Sequence, residues 1–198
     1  VNVIAIAAGS DHTIALTADR TVWTWGGGSD FSLELGPRIG GDYTVPRQVD
    51  PSFLSNVTAI AGGDGFTLAV SNGYVYAWGY NTDGQLGTGG TDPTFIPMLA
   101  TGISNVVRVS ASLLYAFGPH SMAMTVDQGT NHFWGWGYNY SGQVGNGTNH
   151  AIICGGGRCS RDPGPGAVLH PLPALCPTRN RRSLYGPMQR YTLSVLQR

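Results

Sequence analysis

Three segments of this chain alternate large and small side chains and stop at a Trp-Gly pair: Val22-Trp23-Thr24-Trp25-Gly26, Val75-Tyr76-Ala77-Trp78-Gly79 and Phe133-Trp134-Gly135-Trp136-Gly137. Trp25 and Trp78 stand 53 positions apart, Trp78 and Trp136 58 apart. Self-similarity at such a period marks a solenoid or a propeller, in which one supersecondary unit recurs and each copy covers the next.

Two further landmarks recur in the same order. Upstream of each Trp-Gly stands an Asn-Val strand of small and β-branched residues, Asn2 to Gly9, Asn56 to Gly63 and Asn105 to Ser112. Between them lies His12-Thr13-Ile14-Ala15-Leu16, matched by Phe66 to Val70 and His120 to Met124. Each unit therefore reads strand, turn, strand, turn, strand. Period-2 alternation sends successive side chains to opposite faces, and apolar residues on both faces require cover on both sides. The alanines and glycines of the first strand, Ala5, Ala7, Ala8 and Gly9 with Ala59, Ala61, Gly62 and Gly63, suit places where neighbouring sheets converge, and bulky residues there should be poorly tolerated.

After the second and third Trp-Gly comes a matched turn, Tyr80-Asn81-Thr82-Asp83-Gly84-Gln85-Leu86-Gly87 and Tyr138-Asn139-Tyr140-Ser141-Gly142-Gln143-Val144-Gly145, whose Asn, Asp and Gly are expected at positive φ. The first copy, Gly27 to Gly36, is two residues longer and lacks the Gly-Gln pair, so its loop should differ in shape. Pro46 and Pro97 follow in segments that read as outer strands, where a missing N–H is tolerated. With 30 glycines in 198 residues and no long helical period before residue 150, the chain reads as all-β.

Ile-Ala-Ala-Gly, His-Thr-x-Ala-Leu, Val-Trp-x-Trp-Gly and Gly-Gln-Leu-Gly with a following proline together resemble the RCC1 (regulator of chromosome condensation) repeat, over about Val1 to Thr148. The kelch signature, a Gly-Gly doublet followed by spaced Tyr and Trp, fits less well. The resemblance implies a β-propeller of four-stranded antiparallel blades, a class that closes with about 4 to 8 blades. The expected fold is thus an incomplete RCC1-type propeller of three blades, residues 1–53, 54–102 and 103–148, with an irregular Pro/Arg-rich tail at 149–198. Val1 begins at the repeat landmark without the Leu-Ser or Ile-Ser that precedes Asn56 and Asn105, so the chain reads as a piece of a larger propeller. Three blades leave two uncovered flanks, which predicts poor solubility, dimerisation or partial melting.

Beyond Asn149 the landmarks vanish, and half the prolines and all three cysteines appear. Seven arginines face one acid there, a charge of +6, whereas the preceding body has four arginines against ten acids, −6. The tail reads either as a basic extension or as sequence foreign to the protein, such as a frameshift product. The second reading is preferred, because the third repeat stops within its loop at Gly145-Asn146-Gly147-Thr148 with no outer strand in view.

The chemistry is one of absences. No lysine occurs, which excludes a Gly-Lys-Ser/Thr phosphate loop and Schiff-base catalysis. No Gly-x-Ser-x-Gly elbow or His-Glu-x-x-His pair is present. His12 and His120 share a repeat position that holds Phe66 in the second copy, which marks a structural rather than a catalytic histidine. Cys154, Cys159 and Cys176 with His150 and His170 are too loosely spaced for a structural zinc site. No catalytic, cofactor-binding or metal-binding residue is assigned, and no cofactor is expected. Asn56, Asn139 and Asn146 open N-x-Ser/Thr triplets, relevant only to a secreted protein. The five tryptophans read as blade core rather than as a sugar platform or light sensor.

The function expected is a non-enzymatic protein-interaction scaffold with a protein partner. The resemblance also implies a guanine-nucleotide exchange factor for a small GTPase as an alternative, and a secreted carbohydrate-binding or inhibitor propeller is a third. DNA or chromatin is a poor match for the acidic body, because phosphate contacts need clustered Arg or Lys. No run of about 18 apolar residues suggests a membrane span. The resemblance implies a cytoplasmic or nuclear setting, with secretion left open.

Overall fold

The computed structural model describes residues 2–27, 43–113 and 118–145, and the backbone of 154–155, 158–159 and 170–171. The repeat units form three four-stranded antiparallel sheets. Sheet 1 runs β1 (Val3–Ala8), β2 (His12–Thr17), β3 (Val22–Gly26), β4 (Tyr43–Gln48); sheet 2 runs β5 (Val57–Gly62), β6 (Phe66–Ser71), β7 (Tyr74–Gly79), β8 (Thr94–Leu99). Sheet 3 has β9 (Val106–Ala111), β10 (His120–Asp127) and β11 (Thr130–Gly137) in the same order. Among the described residues there is no helix long and apolar enough to cross a membrane.

The glycine of each Trp-Gly has a physical cause. Gly26, Gly79 and Gly137 take φ of 120°, 109° and 98°, and a Cβ on any of them would strike a carbonyl of the preceding hairpin, that of Asp11, Gly65 or Pro119. In sheets 1 and 2 the register also slips at this point, between Thr24 and Gly26 and between Ala77 and Gly79. These bulges turn the chain out into the loop that leads to the outer strand. The Asn-Val landmark is explained likewise: Asn56 and Asn105 enter β5 and β9 at φ 50° and 57°, a left-handed conformation that asparagine tolerates.

Each sheet has two faces of different make. In sheets 2 and 3 the face bearing the Trp of Trp-Gly packs on the preceding sheet, and in sheets 1 and 2 the opposite face receives the next. Trp78 and Ala69 of sheet 2 lie with Ile14, Leu16 and Val22 of sheet 1 in one core, and Trp136 and Ala123 of sheet 3 lie with Phe66, Leu68, Val70 and Val75 of sheet 2 in another. Trp78 and Trp136 are both 0 % exposed. The small residues of the first strands sit where sheets converge: a Cβ on Gly62 would come within 2.6–2.7 Å of the Ala8 and Gly9 backbone.

The tryptophans nonetheless divide. Trp134 packs partly buried beside the second core, whereas Trp23 and Trp25 are half-buried and line an open groove on sheet 1 with Val3, Ala15, Thr17 and Pro46. The outer face of sheet 3 is open in the same way, around Met122, Met124 and Phe133. Among the described residues neither flank is covered by another sheet.

Two expectations need correction. The polar residues of the Trp-Gly turns do not supply the positive φ angles, which fall on Gly84, Gly87, Gly142 and Gly145; the asparagines serve as hydrogen-bonding hubs. Sheet 3 also has an outer strand, because β14 (His170–Pro171) pairs with β11 through Trp134↔Pro171 and Gly135↔His170. It was hidden because the sequence from Gly137 to His170 is far longer than that from Gly79 to Thr94. The other tail elements are β12 (Cys154–Gly155) and β13 (Arg158–Cys159), a two-residue ladder. The loop 28–42, Asn146, His150, Cys176 and the side chains of Cys154, Cys159 and His170 lie outside the described residues.

Candidate interaction surface

Alternation of strand direction puts the β1–β2, β5–β6 and β9–β10 turns at one end of the sheets, together with the loops that follow Trp-Gly. In the β7–β8 loop, Asn81 is fully buried. Its Oδ1 accepts from the Leu86 N–H at 3.0 Å, and its Nδ2 donates to the carbonyls of Gly90 and Asp92, both at 2.9 Å. Gln85 Oε1 accepts from the Asp83 N–H at 3.0 Å. The next copy repeats the scheme, with Val144 N–H donating to Asn139 Oδ1 and Ser141 N–H to Gln143 Oε1, both at 2.9 Å. This is why Asn and Gln recur at fixed offsets.

The loop is also clamped by the neighbouring sheet. Trp136 Nε1 donates to the Gln85 carbonyl at 2.8 Å, and Ser121 Oγ donates to the same oxygen at 2.7 Å. A side chain in the core of one junction therefore fixes the loop that the previous sheet presents. Among the described residues Trp78 Nε1 has no such partner.

His12 is buried beneath this end, with Nε2 2.9 Å from Thr67 Oγ1 of sheet 2. Burial holds its imidazole below the usual histidine range, against the pull of the Asp11 carboxylate 3.4 Å away. It is a strut between sheets, as Phe66 is at the equivalent place. His120 is half-buried, with Nδ1 3.3 Å from the Gly118 carbonyl. Among the described residues no group of three His, Cys, Asp or Glu could hold a metal.

What this end offers is an acidic rim: Asp11 and Asp64 in the tight turns, Asp83 and Asp92 in the long loop. The described arginines lie elsewhere, Arg20 in the β2–β3 turn, Arg47 stacked over the Tyr43 ring at 4.5 Å, and Arg108 on β9. Burial raises the Asp83 carboxyl above the ordinary aspartate range, and a hydrogen bond from Thr82 offsets this in part. A carboxylate in that position favours the arrival of a cation. Net charge gave the sign of this surface but not its place, which depends on three turns meeting at one end. At the opposite end an open pocket of about 340 Å³ lies between the β8–β9 connection and sheet 3, beside Asn105, Asp127, His132 and Trp134.

The profile described as the regulator of chromosome condensation (RCC1) repeat matches residues 19–70 and 72–118, and a second profile of that description matches 3–31 and 57–85. The chain is 35 % identical over 152 residues to the ultraviolet-B receptor UVR8 of Arabidopsis thaliana, which covers 75 % of this chain and 32 % of the relative. It is 32 % identical over 152 residues to the human E3 ubiquitin-protein ligase HERC2, covering 75 % of this chain and 3 % of that protein. The chain thus spans a third or less of these relatives. Among solved structures, Prp20p of Saccharomyces cerevisiae superposes with a TM-score of 0.65 at 20 % identity, over 86 % of this chain and 38 % of that one. Human WBSCR16 superposes with 0.61 at 24 % identity, over 75 % and 35 %.

Proposed function

Because the chain belongs to the RCC1 repeat family, we propose that it is a non-enzymatic protein-interaction scaffold, part of a larger propeller, whose acid-rimmed loop end receives a basic surface of a protein partner. The division into units 1–53, 54–102 and 103–148 belongs to the same proposal, with the segment 149–198 lending β14 to the third unit. The observation that carries it is the set Asp11, Asp64, Asp83 and Asp92, the last two on a loop held by Asn81 and by the Trp136–Gln85 clamp, the first two in tight turns closed by the Gly9 N–H to the His12 carbonyl and the Gly63 N–H to the Phe66 carbonyl. Rigid loops lose little entropy on binding, and one sign of charge speeds encounter with an oppositely charged partner. The test is affinity purification with the chain and with an Asp64→Lys, Asp83→Lys, Asp92→Lys variant. A protein that binds the parent directly when purified, and loses at least tenfold affinity for the variant, supports the reading. Equal binding by both removes the loop end from consideration.

Exchange activity on a small GTPase is the second reading. It is favoured by the likeness to Prp20p, which is described with its binding properties to Gsp1p and histones. Release of labelled nucleotide from a panel of small GTPases tests it, and no acceleration by the chain or its full-length parent dismisses it.

A further inference from the structure

The β10–β11 hairpin is longer than its counterpart in sheet 2, and the added length opens a site. Val106 pairs with Thr125 as Val57 pairs with Ser71, and Ala123 with Trp134 as Ala69 with Tyr76, so Thr125 stands for Ser71 and Trp134 for Tyr76. In sheet 2 the chain turns at once after Ser71, through Asn72 and Gly73. In sheet 3 pairing continues past Thr125↔His132 to Val126↔Asn131 and Asp127↔Thr130 before the turn at Gln128 and Gly129. Period-2 alternation places Thr125, Asp127, His132 and Trp134 on one face, the face that bears Trp136 and meets sheet 2 rather than the open outer one.

The same polar positions behave differently at the two junctions. Beside sheet 2 they satisfy one another: Ser71 Oγ donates to the Ser55 carbonyl, and Asn56 Nδ2 donates to Asn72 Oδ1 at 3.1 Å. The corresponding Ser104 and Asn105, with Asp127 and His132, make no side-chain hydrogen bond among the described residues and line the open pocket of about 340 Å³. The walls of that pocket are tied together. The Val126 N–H donates to the Asn105 carbonyl at 3.2 Å, and Trp134 Nε1 donates to the buried Thr125 Oγ1 at 3.0 Å, which fixes the indole. A site held in this way loses little entropy on binding.

We propose that this pocket binds a neutral saccharide, a pyranose unit resting on the Trp134 indole with its hydroxyls on Asp127, His132 and Asn105. The chemistry of the lining selects this class. The half-buried indole offers an apolar plane to the C–H face of a sugar ring. The Asp127 carboxylate accepts, the Asn105 amide and the His132 ring each combine donor and acceptor, and Ser104 adds a hydroxyl. A sugar hydroxyl both donates and accepts, so a polyol can satisfy every one of them, whereas a guanidinium or ammonium only donates and meets part of the set. Trp134 thereby departs from the blade-core role read from the sequence, which Trp78 and Trp136 fulfil. The site lies at the opposite end from the acidic rim and stands independently of the partner proposed for that end.

Saturation-transfer NMR on the full 198-residue chain tests this, with maltose, cellobiose, lactose and diacetylchitobiose as probes. At least one of these sugars should receive saturation, most strongly at its ring C–H protons. Asp127→Ala, at an exposed position, should weaken binding of that sugar about tenfold, the worth of one hydrogen bond to a charged group. Trp134→Ala should abolish it. Phe133→Ala, on the other face of the same strand, should leave it unchanged, as should the Asp64→Lys, Asp83→Lys, Asp92→Lys variant. Circular dichroism checks that each variant folds, and if Trp134→Ala unfolds the chain, His132→Ala combined with Asp127→Ala carries the test. No saturation of any of the sugars overturns the proposal. So does a signal that survives Asp127→Ala undiminished, or one displaced by acetyl-arginine amide, which would assign the pocket to a cationic peptide side chain instead.

Discussion

Replacing Trp78 and Trp25 separately by alanine compares one chemical change at one repeat position in two environments. Trp78 is 0 % exposed and packs on Ile14, Leu16, Val22, Val57 and Ala69. A tryptophan buries about 150–250 Å², which at about 25 cal/mol per Å² corresponds to about 4–6 kcal/mol of transfer free energy. Measured large-to-small changes in cores cost about 3–5 kcal/mol. Trp78→Ala should therefore remove about 3–5 kcal/mol, and it leaves no orphaned partner because its Nε1 has none among the described residues. Trp25 lines an open groove and is half-buried, so Trp25→Ala should cost about 1–2 kcal/mol, roughly in proportion to its burial. The assay is urea unfolding followed by far-ultraviolet circular dichroism, in protein dilute enough that copies do not associate and mask the difference. Equal losses, or a larger loss at Trp25, would refute the stacking of each Trp face on the preceding sheet.

His12→Phe imitates the second repeat but strands the buried Thr67 hydroxyl, so it should cost about 1–3 kcal/mol, and adding Thr67→Val should recover most of that in the same unfolding assay. Because burial depresses the His12 pKa below 6.5, the stability it confers is full above that pH and is lost as pH falls through the folded value; thermal melts across that range should show a slope that His12→Phe abolishes. Asp83 has the opposite sign: its raised pKa makes the ionised form a burden above the folded value, relieved completely below 3.8, so Asp83→Asn should raise the melting temperature at pH 7 and leave it unchanged at pH 3. Asn139 is buried with Oδ1 accepting from the Val144 N–H, so peptide mapping after secretory expression should find it unglycosylated, in contrast to exposed Asn56.

The fold was legible because each repeated motif is a local device that tolerates few substitutes. Only glycine fits after the tryptophan, where a Cβ would meet the hairpin carbonyl, and only small residues fit where Gly62 meets Ala8 and Gly9. The pairing of three strands in each unit follows from their order and short turns. The roles of Asn81 and Asn139 were not legible, because a loop asparagine can serve either φ or hydrogen bonding and the sequence does not say which. The outer strand of sheet 3 was hidden by the long interval before His170. The acidic rim needed the topology, since Asp11, Asp64, Asp83 and Asp92 share one end only after strand direction is known. Trp25 matched Trp78 in sequence and differed in burial, because burial is decided by the neighbouring sheet.

Hydrogen exchange at the indole nitrogens, followed by NMR on uniformly ¹⁵N-labelled dilute protein, tests the stacking of sheets most directly. Trp136 donates across the sheet 2–sheet 3 junction to the Gln85 carbonyl, and Trp78 is sealed in the junction before it. Their indole protons should exchange at rates set by global unfolding, and the Trp25 indole should exchange orders of magnitude faster. Fast exchange at Trp78 and Trp136, or protection of Trp25 equal to theirs, would contradict the account.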